Sequence, residues 1–389
     1  MRRVLGDQRG AQGAARGPRT VPARSRTQRR VDTALPGFRH QWHAIREVGH
    51  ASVFQPDVEP AAAALPHRNR RSRHRHRLLV IAVTLTDLQP DVAAPSEGAL
   101  RWVARSIAPG ATVRTVRRLT GGISSAMYAV SVVDTKGRHR RCVLRRWVSD
   151  HASDGAERVR REARILEGLE RTDIPTPRLL GIDADGDECR EPALLMTYLD
   201  GRVDLTPRDP QDWLGEMTSM LVRIHNTNIE APVAESWLSR HNLIVPEWSK
   251  RPDLWREAFA LVEESPPVSA PCLIHHDYQQ FNLLWRRGRL TGVVDWVFGS
   301  FGPPGIDVAH LRLNLSVLYS SALAQQFLDL YEATSGRTVE RWWDVEGLLK
   351  YLPGWGGFLQ QQAGRRLSVD FEGMHARVEA TLASALRRD

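Results

Sequence analysis

Between residues 112 and 147, three apolar, β-branched segments are separated by two short polar breaks, and this spacing restricts the fold more than any other feature of the chain. The segments cover residues 112–119, 126–133 and 141–147; Gly121-Gly122 joins the first pair and Asp134-Thr135-Lys136-Gly137 the second. Connections this short and this rich in glycine are hairpin turns, so the segments are expected to pair antiparallel. A helix should precede them. Leu100, Val103, Ala104 and Ile107 recur at i, i+3, i+4 and i+7 between an opening Pro95-Ser96 and a closing Pro109-Gly110. A second helix is expected over residues 154–171, followed by a Pro175-Thr176-Pro177 break and strands near residues 178–182 and 193–198.

The remainder reads as mostly helical. Over residues 212–225, Leu214, Met217, Leu221 and Ile224 share one face, the mark of core packing. Residues 272–298 interrupt the helices with a short loop and a strand pair turned at Arg286-Arg287-Gly288. Helical segments resume from about residue 307, and no internal repeat occurs. The expected class is α+β. A small antiparallel-sheet lobe over residues 86–200 and a mostly helical lobe over residues 201–389 are together long enough to share a cleft.

Charge is distributed unevenly. The chain carries +9 formally, but residues 1–77 hold 17 Arg, no Lys and 5 acidic residues, which leaves 37 basic against 40 acidic residues, or −3, beyond them. A basic balance invites a nucleic-acid or anionic-membrane reading, and here it belongs to the tail alone. That tail, residues 1–85 at its widest, includes Arg68-Asn69-Arg70-Arg71-Ser72-Arg73-His74-Arg75-His76-Arg77, lacks any sustained period, and is expected to be disordered. Three explanations compete for it: a nucleic-acid-binding arm, a targeting segment, or translated upstream sequence from a start placed too early. The last is preferred because the composition changes abruptly beside an intact domain, and Val80 or Val83 would be the true start if the gene used a non-ATG codon. The apolar run over residues 78–85 is too short to span a bilayer and lacks a cleavage site. Cys142, Cys189 and Cys272 are far apart and odd in number, which suits reduced thiols and gives no metal-binding spacing. A cytoplasmic protein without a membrane partner is expected.

The chemistry concentrates in His275-His276-Asp277-Tyr278-Gln279-Gln280-Phe281-Asn282 and in the following Gly292-Val293-Val294-Asp295-Trp296. An aspartate, an asparagine five residues on and a second aspartate closing an apolar run are the parts needed to move a phosphoryl group from a magnesium nucleotide. Asp277 can take the proton of an attacking hydroxyl, while Asn282 and Asp295 supply hard oxygen ligands to Mg²⁺. The plainer alternative is a loop of satisfied polar residues before an ordinary strand, and the strand-end Asp295 argues against it.

Further motifs stand in the same order as in a known family: Gly121-Gly122-Ile123-Ser124, Val143-Leu144-Arg145, Arg161-Glu162-Ala163, Leu194 to Gly201, and Gly302-Pro303-Pro304 with Asp307-Val308-Ala309. Over about residues 95–385 the chain resembles the aminoglycoside phosphotransferase family, protein-kinase-like small-molecule kinases similar also to choline and homoserine kinases. The resemblance implies a protein-kinase-like two-lobed fold, ATP or GTP as phosphoryl donor, Mg²⁺ as cofactor and a small hydroxylated acceptor molecule. It makes His275 a loop histidine that braces the catalytic segment, a role preferred over proton transfer. Period 2 puts Val143 and Arg145 on one strand face, so Val143 can touch adenine while Arg145 reaches the phosphates, held by Glu162. An ordinary surface ion pair is the alternative for those two. Gly121 and Gly122 would bring backbone amides towards the phosphates. Thr197 to Leu199 would form the interlobe segment that reads the adenine edge, and Asp307 would brace the catalytic loop or a helix end.

The family builds its acceptor pocket from the carboxyl-terminal helices, here including Trp342, Trp343, Tyr351, Trp355 and Phe358, with Asp344 and Glu346 nearby. Aromatics at this density are more often core than pocket. A polycationic acceptor would favour a markedly acidic wall, which the −3 balance does not demand. Three departures from the family pattern stand out: His276 in place of Gly, Gln279-Gln280-Phe281 in place of His-Pro-Gly, and Arg145 where kinases more often use Lys. Two other classes remain open. One is a nucleotide-binding pseudokinase without turnover, against which Asp277, Asn282 and Asp295 argue; the other is nucleic-acid binding through the arginine-rich tail.

Overall fold

The computed structural model describes residues 94–119, 125–148, 154–238, 243–351, 362, 367 and 370–388. The arginine-rich tail, Gly121, Gly122, Trp355 and Phe358 lie outside these residues. Ser96 caps the first helix, its Oγ accepting from Ala99 N at 3.2 Å, and α1 runs over Glu97–Ile107. Its stripe of Ala99, Trp102 and Val103 is buried against one face of a five-stranded sheet. The strands are β1 (Thr112–Leu119), β2 (Ala126–Val133), β3 (His139–Arg146), β4 (Leu179–Asp183) and β5 (Ala193–Thr197). They lie in the order β1-β2-β3-β5-β4, with every neighbouring pair antiparallel.

The third strand starts earlier than its apolar residues suggest, because His139 and Arg140 pair with Val133 and Val132 while their side chains stay exposed. Register decides what faces the cleft. Tyr128 and Val130 on β2 point to α1, and their partners Leu144 and Cys142 on β3 do the same. Val143 and Arg145 therefore point to the opposite face, where Val143 joins the core shared with α2 (Gly155–Leu169) and the helical lobe.

The second lobe contains α3 (Pro210–His225), α4 (Pro252–Glu263), β6 (Cys272–Ile274), β7 (Leu283–Arg286), β8 (Arg289–Val293), β9 (Ser300–Gly302), α5 (Gly305–Leu318), α6 (Ser321–Ser335), α7 (Arg341–Leu348) and α8 (Phe371–Leu386). Asp209 caps α3 through the amides of Gln211 and Asp212, and Pro210 sits in the first turn. Leu214, Met217, Leu221 and Ile224 form its buried face. Arg287 (φ 54°) and Gly288 (φ 77°) both adopt the left-handed conformation that a two-residue hairpin turn between β7 and β8 requires.

Helix α5 is buried from Gly305 to Val317, so it runs through the middle of the lobe rather than along its surface. Helix α7 lies directly on it, since a Cβ on Gly347 would collide with Ala309. Trp342 and Trp343 are core residues: their indole nitrogens donate to Glu264 O at 3.3 Å and to Ser269 Oγ at 3.1 Å. Tyr351 is buried as well, edge-on to Trp248. The fold is α+β, a small antiparallel-sheet lobe followed by a mostly helical one.

Candidate active site

One turn of α5 organises the loop between β6 and the short 3-10 turn Gln280–Asn282. The buried Asp307 accepts the amide of His275 at 2.7 Å through Oδ2 and that of His276 at 2.6 Å through Oδ1. His225 Nε2 lies 3.3 Å from Oδ2, and the Nδ1 of that ring is 2.8 Å from the Tyr331 hydroxyl. Burial works against the Asp307 charge, but His225 and the loop amides outweigh it and hold the carboxyl below its usual value. Three residues further along α5, His310 Nε2 stands 2.9 Å from Asp277 Oδ1, an electrostatic contact outside the alignment of a regular hydrogen bond.

Asp277 is held from its own loop as well. It accepts from Gln279 Nε2 at 2.8 Å through Oδ1 and from Asn282 Nδ2 at 2.9 Å through Oδ2. The same Asn282 nitrogen donates to the Asp277 carbonyl at 2.9 Å, which leaves the amide oxygen Oδ1 for another partner. Asn282 O accepts Val294 N at 2.9 Å, so the loop is tied to the residue before Asp295. His275 Nε2 reaches Val294 O at 3.0 Å, and its ring lies against Trp296. Because a carbonyl can only accept, Nε2 carries the proton there, and His275 points into the backbone of the strand end.

Asp295 follows β8 in the left-handed conformation (φ 68°, ψ 56°). Its Oδ1 accepts from Arg145 Nη1 at 2.7 Å. That nitrogen also lies 3.0 and 3.1 Å from the two oxygens of Glu162, while Arg145 Nε donates to Ser125 Oγ at 3.0 Å and the guanidinium stacks on Trp147. Arg145 and Glu162 are buried, so the pair is no ordinary surface contact. Burial opposes the Arg145 charge, but Asp295 and Glu162 more than offset it and raise its affinity for the proton. Burial pushes the Glu162 carboxyl up to about 7, with Arg145 pulling the other way.

His276 adopts φ 71°, a region that favours glycine, which gives a physical reason for the family's Gly at this place. Its ring is buried and stacks on Trp237 with centroids 4.4 Å apart. Burial, with Lys350 adding to it, holds this imidazole well below its ordinary value and therefore neutral.

Of the remaining candidates, Val143 pairs with Met196 across β3 and β5 on the cleft face. Thr197 ends β5, exchanging bonds with Arg178 N and O at 2.9 Å. Leu199 lies against Gly292 of β8, where a Cβ would stand 2.9 Å from its Cδ1. Sequence reasoning overlooked His310, His225, Ser125 and Trp237. For His310 a signal existed, since i and i+3 on a helix share a face and Asp307 was already suspected. The others meet the site only through tertiary packing.

A model of the phosphotransferase enzyme family matches residues 115–343. Among solved structures, the chain resembles a protein from Ralstonia eutropha JMP134 provisionally called an aminoglycoside phosphotransferase, at 17% identity and a TM-score of 0.52, over 75% of this chain and 98% of that one. It also resembles macrolide 2′-phosphotransferase MphH from Brachybacterium faecium (18% identity, TM-score 0.48, 76% of this chain and 99% of that one). A third is a thermostable mutant of aminoglycoside phosphotransferase APH(4)-Ia in a ternary complex with ADP and hygromycin B (15% identity, TM-score 0.47, 71% and 94%). Identities this low bear on the fold alone.

Proposed function

The chain belongs to the phosphotransferase enzyme family, and from that premise we propose that it transfers the γ-phosphoryl group of ATP or GTP to a hydroxyl of a small molecule, with Mg²⁺ as cofactor. The observation that carries this reading is one connected set of contacts, from Asp277 through Asn282 and the Val294 backbone to Asp295, Arg145 and Glu162. Asp277 orients the acceptor hydroxyl and takes its proton as the phosphoryl group moves. Gln279, Asn282 and His310 hold its carboxylate in one orientation, and positioning of that kind is a large part of catalysis when the protein makes no covalent bond.

The residues present fit a magnesium ion. Asn282 has committed its nitrogen and not its oxygen, and the half-exposed Asp295 has only Oδ1 engaged by Arg145. Mg²⁺ takes few protein oxygens and many from phosphate and water, so this pair suffices. When bound, it neutralises charge on the phosphates. Arg145, steadied by Glu162, reaches the same phosphates from the sheet. Val143 covers the base, Thr197 to Leu199 read its edge, and His275 braces the loop without touching the reacting atoms. The three buried free thiols suit a reducing, cytoplasmic setting.

A thermal-shift titration of the full chain with ATP and GTP, with and without Mg²⁺, tests the reading. A ligand at about 100 times its Kd stabilises the folded state by about 2.7 kcal/mol. A metal-dependent shift that disappears in Asp295→Asn is expected; no shift with either nucleotide at saturation refutes it.

A further inference from the structure

The acceptor can be narrowed by asking which charges surround Asp277. A molecule bearing several ammonium groups is recognised by carboxylates that are exposed and unpaired beside the reacting hydroxyl. Four carboxylates of α5, α7 and α8 are instead consumed inside the protein. Asp344 of α7 pairs with Arg312 of α5, both fully buried. Glu346 pairs with Lys350 at 2.9 Å, accepts from Ser236 Oγ and is also buried. Asp307 is occupied by the loop amides, and Glu379 of α8 accepts from Ser249 Oγ at 2.6 Å and Trp255 Nε1 at 3.1 Å.

Following contacts outward from Asp277 leads to His310, then to Trp237 with ring centroids 5.9 Å apart, then to Lys350, whose ammonium lies 5.9 Å from the Trp237 ring. The first fixed charge on that path is the positive end of the buried Lys350–Glu346 pair, which carries no net charge. Arg161 adds a second, its Nη2 donating to Ser300 Oγ at 2.7 Å, and both cations bear on the His276 ring. Burial lowers the proton affinity of Arg161, and the exposed Glu235 acts the other way.

We infer that the acceptor is a hydroxylated molecule without clustered positive charge, such as a neutral sugar or polyol, and that polycationic amino sugars are rejected. The inference rests on the kinase reading of this same site and sharpens it. Imidazole, amide and indole groups line the path from Asp277, and such groups recognise hydroxyls through hydrogen bonds.

Two measurements on the full chain test it. The first is calorimetric titration with kanamycin A at about 10 mM ionic strength, where charge attraction is least screened, with and without Mg²⁺ and AMP-PNP. No saturable binding tighter than about 1 mM is expected. The second measures phosphate transfer from Mg·ATP to kanamycin A and to a panel of neutral sugars and polyols. Transfer to a neutral member is expected, with a KM unchanged when salt rises from about 20 to about 200 mM. Saturable, salt-sensitive kanamycin binding overturns the inference, as does transfer confined to amino sugars. The nucleotide thermal shift of the same samples reports on the kinase reading separately. Its absence sinks that reading, while the kanamycin titration of the nucleotide-free protein still decides the charge argument.

Discussion

Replacing Asp307 with asparagine removes the charge that holds the loop over residues 275–282 to α5. The native carboxylate accepts two backbone amides, at 2.7 and 2.6 Å, with no solvent exposure. Hydrogen bonds to a buried charge contribute about 1.5–3 kcal/mol each, and a buried N–H left without an acceptor costs about 1–3 kcal/mol. Asparagine keeps one oxygen, so one bond survives in its weaker neutral form while the other amide meets an NH₂ group. The unfolding free energy should fall by about 3–4 kcal/mol, a large part of the ~5–15 kcal/mol typical of a domain. Urea unfolding followed by tryptophan fluorescence measures it. The pH dependence has a definite sign. The folded carboxyl titrates below its unfolded value, near 3.8, so its contribution is complete above that value and is lost as pH falls through the folded one. The gap between wild type and Asp307→Asn should therefore stay constant from about pH 7 to about pH 5 and close below about pH 4. A difference under about 0.5 kcal/mol at neutral pH, the range of an ordinary surface substitution, refutes the reasoning.

Asp277→Asn should lower kcat by about 10²–10⁴-fold while leaving the nucleotide-induced thermal shift intact, since the side chain acts on the proton and not on the donor. Loss of nucleotide binding in this variant would contradict the assignment. His310→Gln should reduce kcat by about tenfold with nucleotide affinity unchanged, because the contact at 2.9 Å orients Asp277 and not the nucleotide. An unchanged kcat would contradict the positioning role. Burial pushes the thiols of Cys142, Cys189 and Cys272 up to about 12, so none should react with a disulfide reagent in the native protein and all three should in denaturant. Stoichiometric labelling without denaturant would count against the buried placement.

Much of the architecture was legible because it rests on local rules. The first two strands, the Ser96 helix start and the Arg287-Gly288 turn follow from period 2, capping and turn chemistry. That Asp277, Asn282 and Asp295 would lie together was legible because their spacing along the chain is short. What escaped is long-range. His225 joins the site from α3 and Ser125 from the start of β2, each tens of residues from its partner, and nothing in their local sequence marks them. The polar start of β3 escaped for a different reason: its pairing is made by backbone, which side-chain pattern does not report.

Two residues without the freedom of glycine, His276 and Asp295, hold left-handed backbone at the candidate site. Such conformations cost about 1–3 kcal/mol each and persist only where surroundings over-determine them. Both are over-determined here. His276 is fixed by its amide bond to Asp307 and by its ring on Trp237, and Asp295 by Arg145, which Glu162 and Ser125 fix in turn. The strain aims two side chains that regular strands would turn elsewhere: past His276 the chain presents Asp277, and at Asp295 it presents a carboxylate to the guanidinium. A helix that is buried along nearly its whole length supplies the anchor, with Asp307 on the loop backbone and His310 on the loop carboxylate one turn apart. Support from a central helix, joined by Gln279 on the Asp277 carboxylate, therefore keeps Asp277 and Asn282 bonded to each other although Gln279-Gln280-Phe281 replaces the residues the family resemblance leads one to expect.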